Sequence, residues 1–98
     1  MAVAMLAEIP GLTREEYEHV VTKVNQMGSP IGALFHAGGP VENGYRVIEV
    51  WQDREAADSF YNSRDYQDAV AGLTTQPEII MTWDVFGVDD GSGWRQTA

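Results

Sequence analysis

The chain has 98 residues, 44% of them hydrophobic, with three Trp, four Tyr and three Phe, which suits one folded domain and is too short for two. The net charge of −9 repels nucleic-acid phosphates and anionic membrane surfaces, so we expect no nucleic-acid or membrane partner. The chain has no cysteine, so we expect no disulfide and no thiolate chemistry, and the cytoplasm is the expected location. No stretch approaches the ~20 apolar residues of a membrane span.

The first predicted elements are a strand and a helix. Residues 1–7 are apolar and are followed by a Pro-Gly pair, which is typical of a buried strand that ends in a turn. Thr13 and Glu16 have the spacing of a capping box, and apolar residues then recur at helical intervals. The pattern predicts a helix over 14–27 that stops at Gly28.

Two further strands are predicted to pair as a hairpin. Residues 31–37 and 45–52 are rich in apolar and β-branched side chains. Between them, Gly38-Gly39-Pro40 and Asn43-Gly44 are typical of a loop.

The C-terminal half is predicted to hold a helix and a last strand. Asp53 is a suitable N-cap for a helix over 54–73, with a break near Asn62-Ser63. Residues 78–88 read as the fourth strand, and residues 89–98 read as a flexible, solvated tail.

This order predicts one α+β domain over 1–88, with the ferredoxin-like β-α-β-β-α-β arrangement and a four-stranded antiparallel sheet. Both helices then cover one face of the sheet. The strands are nevertheless apolar on both sides, whereas a face covered by water would alternate with polar residues. A second copy packed sheet against sheet is the simplest cover, so the sequence predicts a homodimer.

The segment 44–56, G-Y-R-V-I-E-V-W-Q-D-R-E-A, resembles the passage from third strand to second helix in the dimeric α/β-barrel superfamily. That group includes antibiotic-biosynthesis-monooxygenase-like proteins and small polyketide cyclases. The resemblance implies a sheet-to-sheet homodimer with a small-molecule pocket between sheet and helices. Its haem-degrading and cyclase branches use a His around the second helix; this chain has none over 53–73, so those mechanisms do not transfer.

Two titratable residues interrupt apolar strands and are the candidate catalytic groups. His36 could act as a general base, or it could be a strand-end imidazole bonded to a carbonyl or to water. Glu49 could be a second proton-transfer group, or a structural carboxylate with hydrogen-bond donors around it. Asp84 of the last strand could likewise be a proton-transfer group or a structural carboxylate, with less support. His19 is expected to be solvated.

The candidate substrate-binding residues are mostly aromatic, and each could equally belong to the core. Alternation along the third strand places Tyr45, Val47, Glu49 and Trp51 on one side of the sheet, which the family comparison makes the pocket side. The predicted pocket is lined by Tyr45, Val47, Trp51, Phe60 and Trp83.

The expected function is that of a small homodimeric enzyme of secondary or catabolic metabolism. It would act on an aromatic or polyketide-like molecule by oxygenation, cyclisation or isomerisation. Because metal-ligand spacings and nucleotide-binding glycine motifs are absent from the sequence, we expect no metal and no tightly bound organic cofactor. The alternative is a non-catalytic ligand-binding or accessory dimer.

Overall fold

The computed structural model describes residues 1–97 and consists of one four-stranded antiparallel sheet, helices on one of its sides, and a C-terminal β-hairpin. The elements in chain order are β1 (Ala2–Pro10), α1 (Arg14–Gln26), β2 (Ala33–Val41), β3 (Gly44–Trp51), α2 (Arg54–Tyr61), α3 (Arg64–Val70), β4 (Glu78–Val85), β5 (Gly87–Asp89) and β6 (Trp94–Gln96). The order across the sheet is β2-β3-β1-β4, which confirms the predicted ferredoxin-like α+β class. Within residues 1–97, no helix combines the length and apolarity needed to cross a membrane.

Helix α1 begins at the predicted capping box. The Thr13 hydroxyl accepts a hydrogen bond from the Glu16 backbone N–H at 3.1 Å, and the Glu16 carboxylate accepts one from the Thr13 N–H at 3.2 Å. The other Glu16 oxygen accepts from the backbone N–H of Thr74 at 3.2 Å. These bonds attach the N-terminal end of α1 to the segment that follows α3.

The predicted break in the second helix is confirmed, and it separates α2 from α3. Asp53 caps α2 by accepting from the Ala56 N–H at 2.7 Å. After α2 ends, the Ser63 hydroxyl accepts from the Tyr66 N–H at 3.2 Å and so caps α3. A new N-cap inside a helical pattern restarts the helix in another direction.

Strand β2 is longer than predicted, because the expected loop at Gly38-Gly39-Pro40 is part of the strand. The turn to β3 contains only Glu42 and Asn43. Pro40 is tolerated because β2 is an edge strand, where one row of backbone N–H groups is unpaired. Gly38 is needed because a side chain there would collide with the hydroxyl of Tyr17 on α1.

The sheet has a side that faces the helices, called the helix side, and an opposite outer face. Alternate residues of β1 and β3 point to the helix side and form two clusters of the core with α2 and the start of α1. The register pairs on this side are Val3–Trp51, Met5–Glu49, Ala7–Val47 and Ile9–Tyr45. Tyr45, Val47, Glu49 and Trp51 therefore share one side, as the alternation predicts.

The C-terminal segment differs from the expectation. Strand β4 ends at Val85 rather than residue 88, and β5 and β6 form a hairpin where the sequence suggested a tail without regular structure. Val88 of β5 is buried against Ala4 and Val50 on the outer face. The Asp89 carboxylate accepts from two backbone N–H groups of the turn, so the short hairpin is held by its own side chain.

Candidate active site

A cavity of about 750 Å³ lies between the helix side of the sheet and the three helices. Its floor is formed by all four strands of the sheet, and its walls by α1, α2 and α3. Helix α1 has no buried residue, and it turns a stripe of apolar side chains toward this space. The stripe comprises Tyr17, Val20, Val21 and Val24. Helix α1 therefore contributes a wall of a binding-sized space rather than fully buried core residues.

Glu49 is the only carboxyl group that lines the cavity within residues 1–97. It lies in the middle of β3, and its side chain is 15% exposed. Burial raises the pKa of Glu49 from its ordinary 4.5 to about 7, since a low-polarity environment disfavours the charged form. The nearby indole N–H of Trp51 opposes this rise only in part. Near neutral pH the carboxyl can therefore give or take a proton.

His36 of β2 is the register partner of Glu49. The His36 Nε2 atom lies 3.8 Å from the Glu49 Oε2 atom, and the imidazole is 53% exposed. Partial burial lowers the pKa of His36 from 6.5. Both side chains line the same cavity, with the carboxyl enclosed and the imidazole at its edge. At 3.8 Å the two groups are close but not hydrogen-bonded, so a proton could pass between them only through a bridging water or after a small side-chain movement.

Trp51 places a buried donor beside this pair. Its side chain is 2% exposed and lines the cavity, and its buried Nε1–H makes no hydrogen bond of standard geometry with any group of residues 1–97. Leaving a buried donor unpaired costs about 1–3 kcal/mol. The carboxylate of Glu49 is the acceptor next to this N–H, and their interaction lowers the Glu49 pKa.

An aromatic cluster from α2 and α3 surrounds the indole. The ring centroids of Phe60 and Tyr61 lie 5.3 and 6.2 Å from that of Trp51, and the Tyr66 ring lies 4.9 Å from Phe60. Burial, and then the negative charge of Glu49, raise the pKa of Tyr66 to about 12. Sequence reasoning did not select Tyr66 as a site residue. The N-cap at Ser63, which sets the start of α3, was the signal that could have placed it on the inner side.

The predicted pocket residues divide into two groups. Val47, Trp51 and Phe60 line the cavity. Tyr45 does not: it is buried in the core with Ile9, and Tyr17 stacks on it with a centroid distance of 4.2 Å and lines the cavity in its place.

The placement of Trp83 in the pocket is also wrong. It registers opposite Ala4, so it projects from the outer face and is 40% exposed. Asp84, on the other side of β4, is exposed and does not line the cavity. His19 is exposed on α1, as expected. Within residues 1–97, no group of three or more His, Cys, Asp or Glu could hold a metal ion.

Comparison with known proteins identifies the architecture. No protein-family model matches the chain, and no curated protein matches it in sequence. Among solved structures, SnoaB, a cofactor-independent oxygenase from Streptomyces nogalater, is 17% identical with a TM-score of 0.64, over 86% of this chain and 92% of SnoaB. The fold is ferredoxin-like.

Two further structures agree with this assignment. A dimeric ferredoxin-like protein of unknown function from Jannaschia sp. CCS1 is 12% identical with a TM-score of 0.63, over 87% of this chain and all of the other. A protein from Chloroflexus aurantiacus J-10-fl, provisionally described as an antibiotic biosynthesis monooxygenase, is 14% identical with a TM-score of 0.54, over 81% and 93% of the two chains. At the level of fold, the resemblance stated from the sequence is confirmed.

Proposed function

We propose that the protein is a homodimeric enzyme that needs no metal or tightly bound organic cofactor and removes a proton from an aromatic or polyketide-like small molecule in the cavity. The observation that carries this proposal is the pair of Glu49 and His36, 3.8 Å apart in an aromatic-lined cavity. Oxygenation, cyclisation and isomerisation of such a molecule can each begin with this proton transfer. The fold is shared with SnoaB, described as a cofactor-independent oxygenase.

The two groups have different roles in this proposal. The ionised Glu49 carboxylate takes a proton from a phenolic O–H or an activated C–H of the ligand, which leaves an anion. The half-exposed His36 then passes that proton to water and restores the carboxylate. Burial and a pKa of about 7 favour Glu49 as the base, because efficient general bases titrate near the operating pH. These roles reverse the assignment made from the sequence.

The anion formed in this step needs hydrogen-bond donors. Tyr66 and Trp51 line the same cavity as Glu49, and the Tyr66 phenol lies close enough to Glu49 to feel its charge, whereas the Nε1 atom of Trp51 is buried. Donors that are already in place where negative charge develops stabilise a transition state without reorganisation. The Tyr66 hydroxyl therefore stabilises the deprotonated ligand in this proposal.

Hydrogen–deuterium exchange of a carbon acid tests proton abstraction without requiring a complete reaction. Anthrone in D₂O, kept free of oxygen, should exchange its methylene protons faster with the protein than with buffer, as followed by NMR. Glu49→Gln should lower the catalysed rate by about 10²–10⁴-fold, and Glu42→Gln, an exposed turn residue, should not. A folded Glu49→Gln protein with the wild-type rate would rule out this role for Glu49.

The same assay separates the enzyme from the alternative. A wild-type protein that binds anthrone and leaves its exchange rate unchanged would support the non-catalytic ligand-binding or accessory dimer. Admitting oxygen and measuring its consumption would then distinguish oxygenation from cyclisation or isomerisation for an active protein.

The homodimer is supported by the outer face. Hairpin β5–β6 covers the part of this face near Ala4, but Met81 and Trp83 of β4 are still 57% and 40% exposed. Phe86, just before the hairpin, and Trp94, the first residue of β6, are exposed as well. Two of the structurally similar proteins are described as dimeric. A second copy of the chain would remove this apolar surface from water.

A further inference from the structure

The charges around the cavity are unequally distributed. Among residues 1–97, neither Lys nor Arg lines it. Its ionisable groups are one carboxyl, one imidazole and three phenols, contributed by every wall and by the floor. They are Glu49 on β3, His36 on β2, Tyr17 on α1, Tyr61 on α2 and Tyr66 on α3. Because burial lowers the pKa of His36 from 6.5, the cavity above neutral pH holds a single charge, the negative one of Glu49.

The basic residues lie outside the cavity, and most of them form ion pairs. Four of the six Lys and Arg residues form ion pairs with carboxylates outside the cavity. These pairs are Arg14–Glu18, Arg46–Glu8, Arg54–Asp58 and Arg95–Asp90. An anionic group that entered the cavity would lose its hydration without meeting a fixed positive charge, and the net charge of −9 would oppose its approach.

The aromatic walls add an attraction for positive charge. The rings of Trp51, Phe60, Tyr61 and Tyr66 form one contiguous cluster that lines the cavity together with Glu49. The faces of aromatic rings carry partial negative charge and attract organic cations, and the attraction is larger where water is excluded. A carboxylate beside such rings is a suitable counter-ion for a protonated amine.

We propose that the cavity selects its ligand by charge. Cationic aromatic molecules bind most tightly, uncharged ones bind more weakly, and anionic ones are excluded. Glu49 is the residue that determines this order of affinity. The selection concerns the same cavity as the proposed function and narrows its substrate class, but it does not require turnover. A phenol or an arylalkylamine fits this class, whereas a carboxylated or phosphorylated aromatic does not.

Calorimetric titration with three matched probes tests the proposal. At pH 8.5, 2-naphthylmethylammonium should bind at least threefold more tightly than 2-naphthylmethanol, and 2-naphthoate at least tenfold more weakly than the alcohol. At pH 5.5, where Glu49 is protonated, the advantage of the ammonium over the alcohol should shrink toward one. Equal or tighter binding of 2-naphthoate at pH 8.5, or no binding of any probe at millimolar concentration, would overturn the proposal.

A pair of variants assigns the effect to one carboxyl. Glu49→Gln should abolish the advantage of the ammonium at pH 8.5, whereas Glu42→Gln, which removes the same charge from an exposed turn, should retain it. An advantage that survived in a folded Glu49→Gln protein would contradict the role of Glu49. Probe binding and hydrogen–deuterium exchange of anthrone are measured in separate assays. A result that contradicts charge selection therefore leaves the proposal of proton abstraction standing, and a result that contradicts proton abstraction leaves charge selection standing.

Discussion

The two sides of the sheet are made from the same strands and serve different ends. On the helix side, apolar residues surround a space that is lined by one carboxyl and one imidazole. On the outer face, Met81 and Trp83 lie on an open apolar surface, and only part of that face is covered, by hairpin β5–β6. Sequence hydrophobicity is similar on both sides, so apolarity alone does not tell a ligand cavity from an assembly surface. Enclosure and embedded titratable groups do.

The largest expected effect comes from a charge on the outer face. Trp83→Glu would bury a carboxylate in the proposed interface, and loss of a micromolar dimer corresponds to about 8 kcal/mol of association free energy. Light scattering should give about twice the 10.8 kDa chain mass for the wild type and the single-chain mass for the variant.

Ile31→Glu is the matched control for this substitution, because Ile31 is 89% exposed just before β2. It should leave the dimer mass unchanged. A wild-type protein that is monomeric and soluble at micromolar concentration would contradict the proposal that the outer face is a dimer interface.

The second effect concerns the helix side and depends on pH. Glu49 holds its proton up to about pH 7 in the folded protein and titrates near 4.5 when unfolded, so the folded state binds more protons between these values. The stability contributed by the protonated carboxyl is full below pH 4.5 and is lost as pH rises through 7, by about 3 kcal/mol in all.

Urea unfolding at pH 4.5 and pH 8.5 checks this expectation. Over that interval the wild type should lose about 3 kcal/mol relative to Glu49→Gln, whose amide does not titrate. The comparison with the variant cancels the other titrating groups. Parallel pH profiles for the two proteins would show that Glu49 is not held in a cavity that disfavours its charge.

The smallest effect compares two adjacent glycines on opposite faces of β2. A methyl group at Gly38 would collide with the Tyr17 hydroxyl and lie 3.2 Å from Val47, whereas one at Gly39 would meet nothing within 4 Å. Because stacking on Tyr45 restrains Tyr17, Gly38→Ala should destabilise the protein by about 1–3 kcal/mol. Gly39→Ala should be close to neutral.

Thermal or urea unfolding measures both substitutions, and Tyr17→Phe provides the internal test. In the Tyr17→Phe background the collision is removed, so most of the cost of Gly38→Ala should disappear. A cost that is the same in both backgrounds would mean that α1 does not lie where the structure has it.

Much of the fold was predictable because it rests on local chemistry. The capping box at Thr13 and the helix break at Ser63 depend on side chains within three residues of each other. The alternation that puts Glu49 and Trp51 on one side depends on one strand. Such features need no knowledge of distant partners.

The sequence-based expectations are wrong where contacts between residues far apart in the chain determine the structure. Gly38-Gly39-Pro40 read as a loop, yet it is a strand because it lies at a sheet edge and because Tyr17 packs on Gly38. The side on which Trp83 lies depends on the register of β4, which has a bulge opposite β1 between Leu6 and Ala7. Tyr45 is buried because Tyr17 of α1 stacks on it and lines the cavity instead, and this contact joins residues that are far apart in sequence.

The lack of buried residues in α1 also has an evolutionary consequence. Substitutions at core positions lose packing, and their cost limits how fast such positions change. Val20, Val21 and Val24 line the cavity without being part of that packed core. Substitutions in α1 can therefore alter the size and shape of the cavity at little cost in stability, while the scaffold is retained.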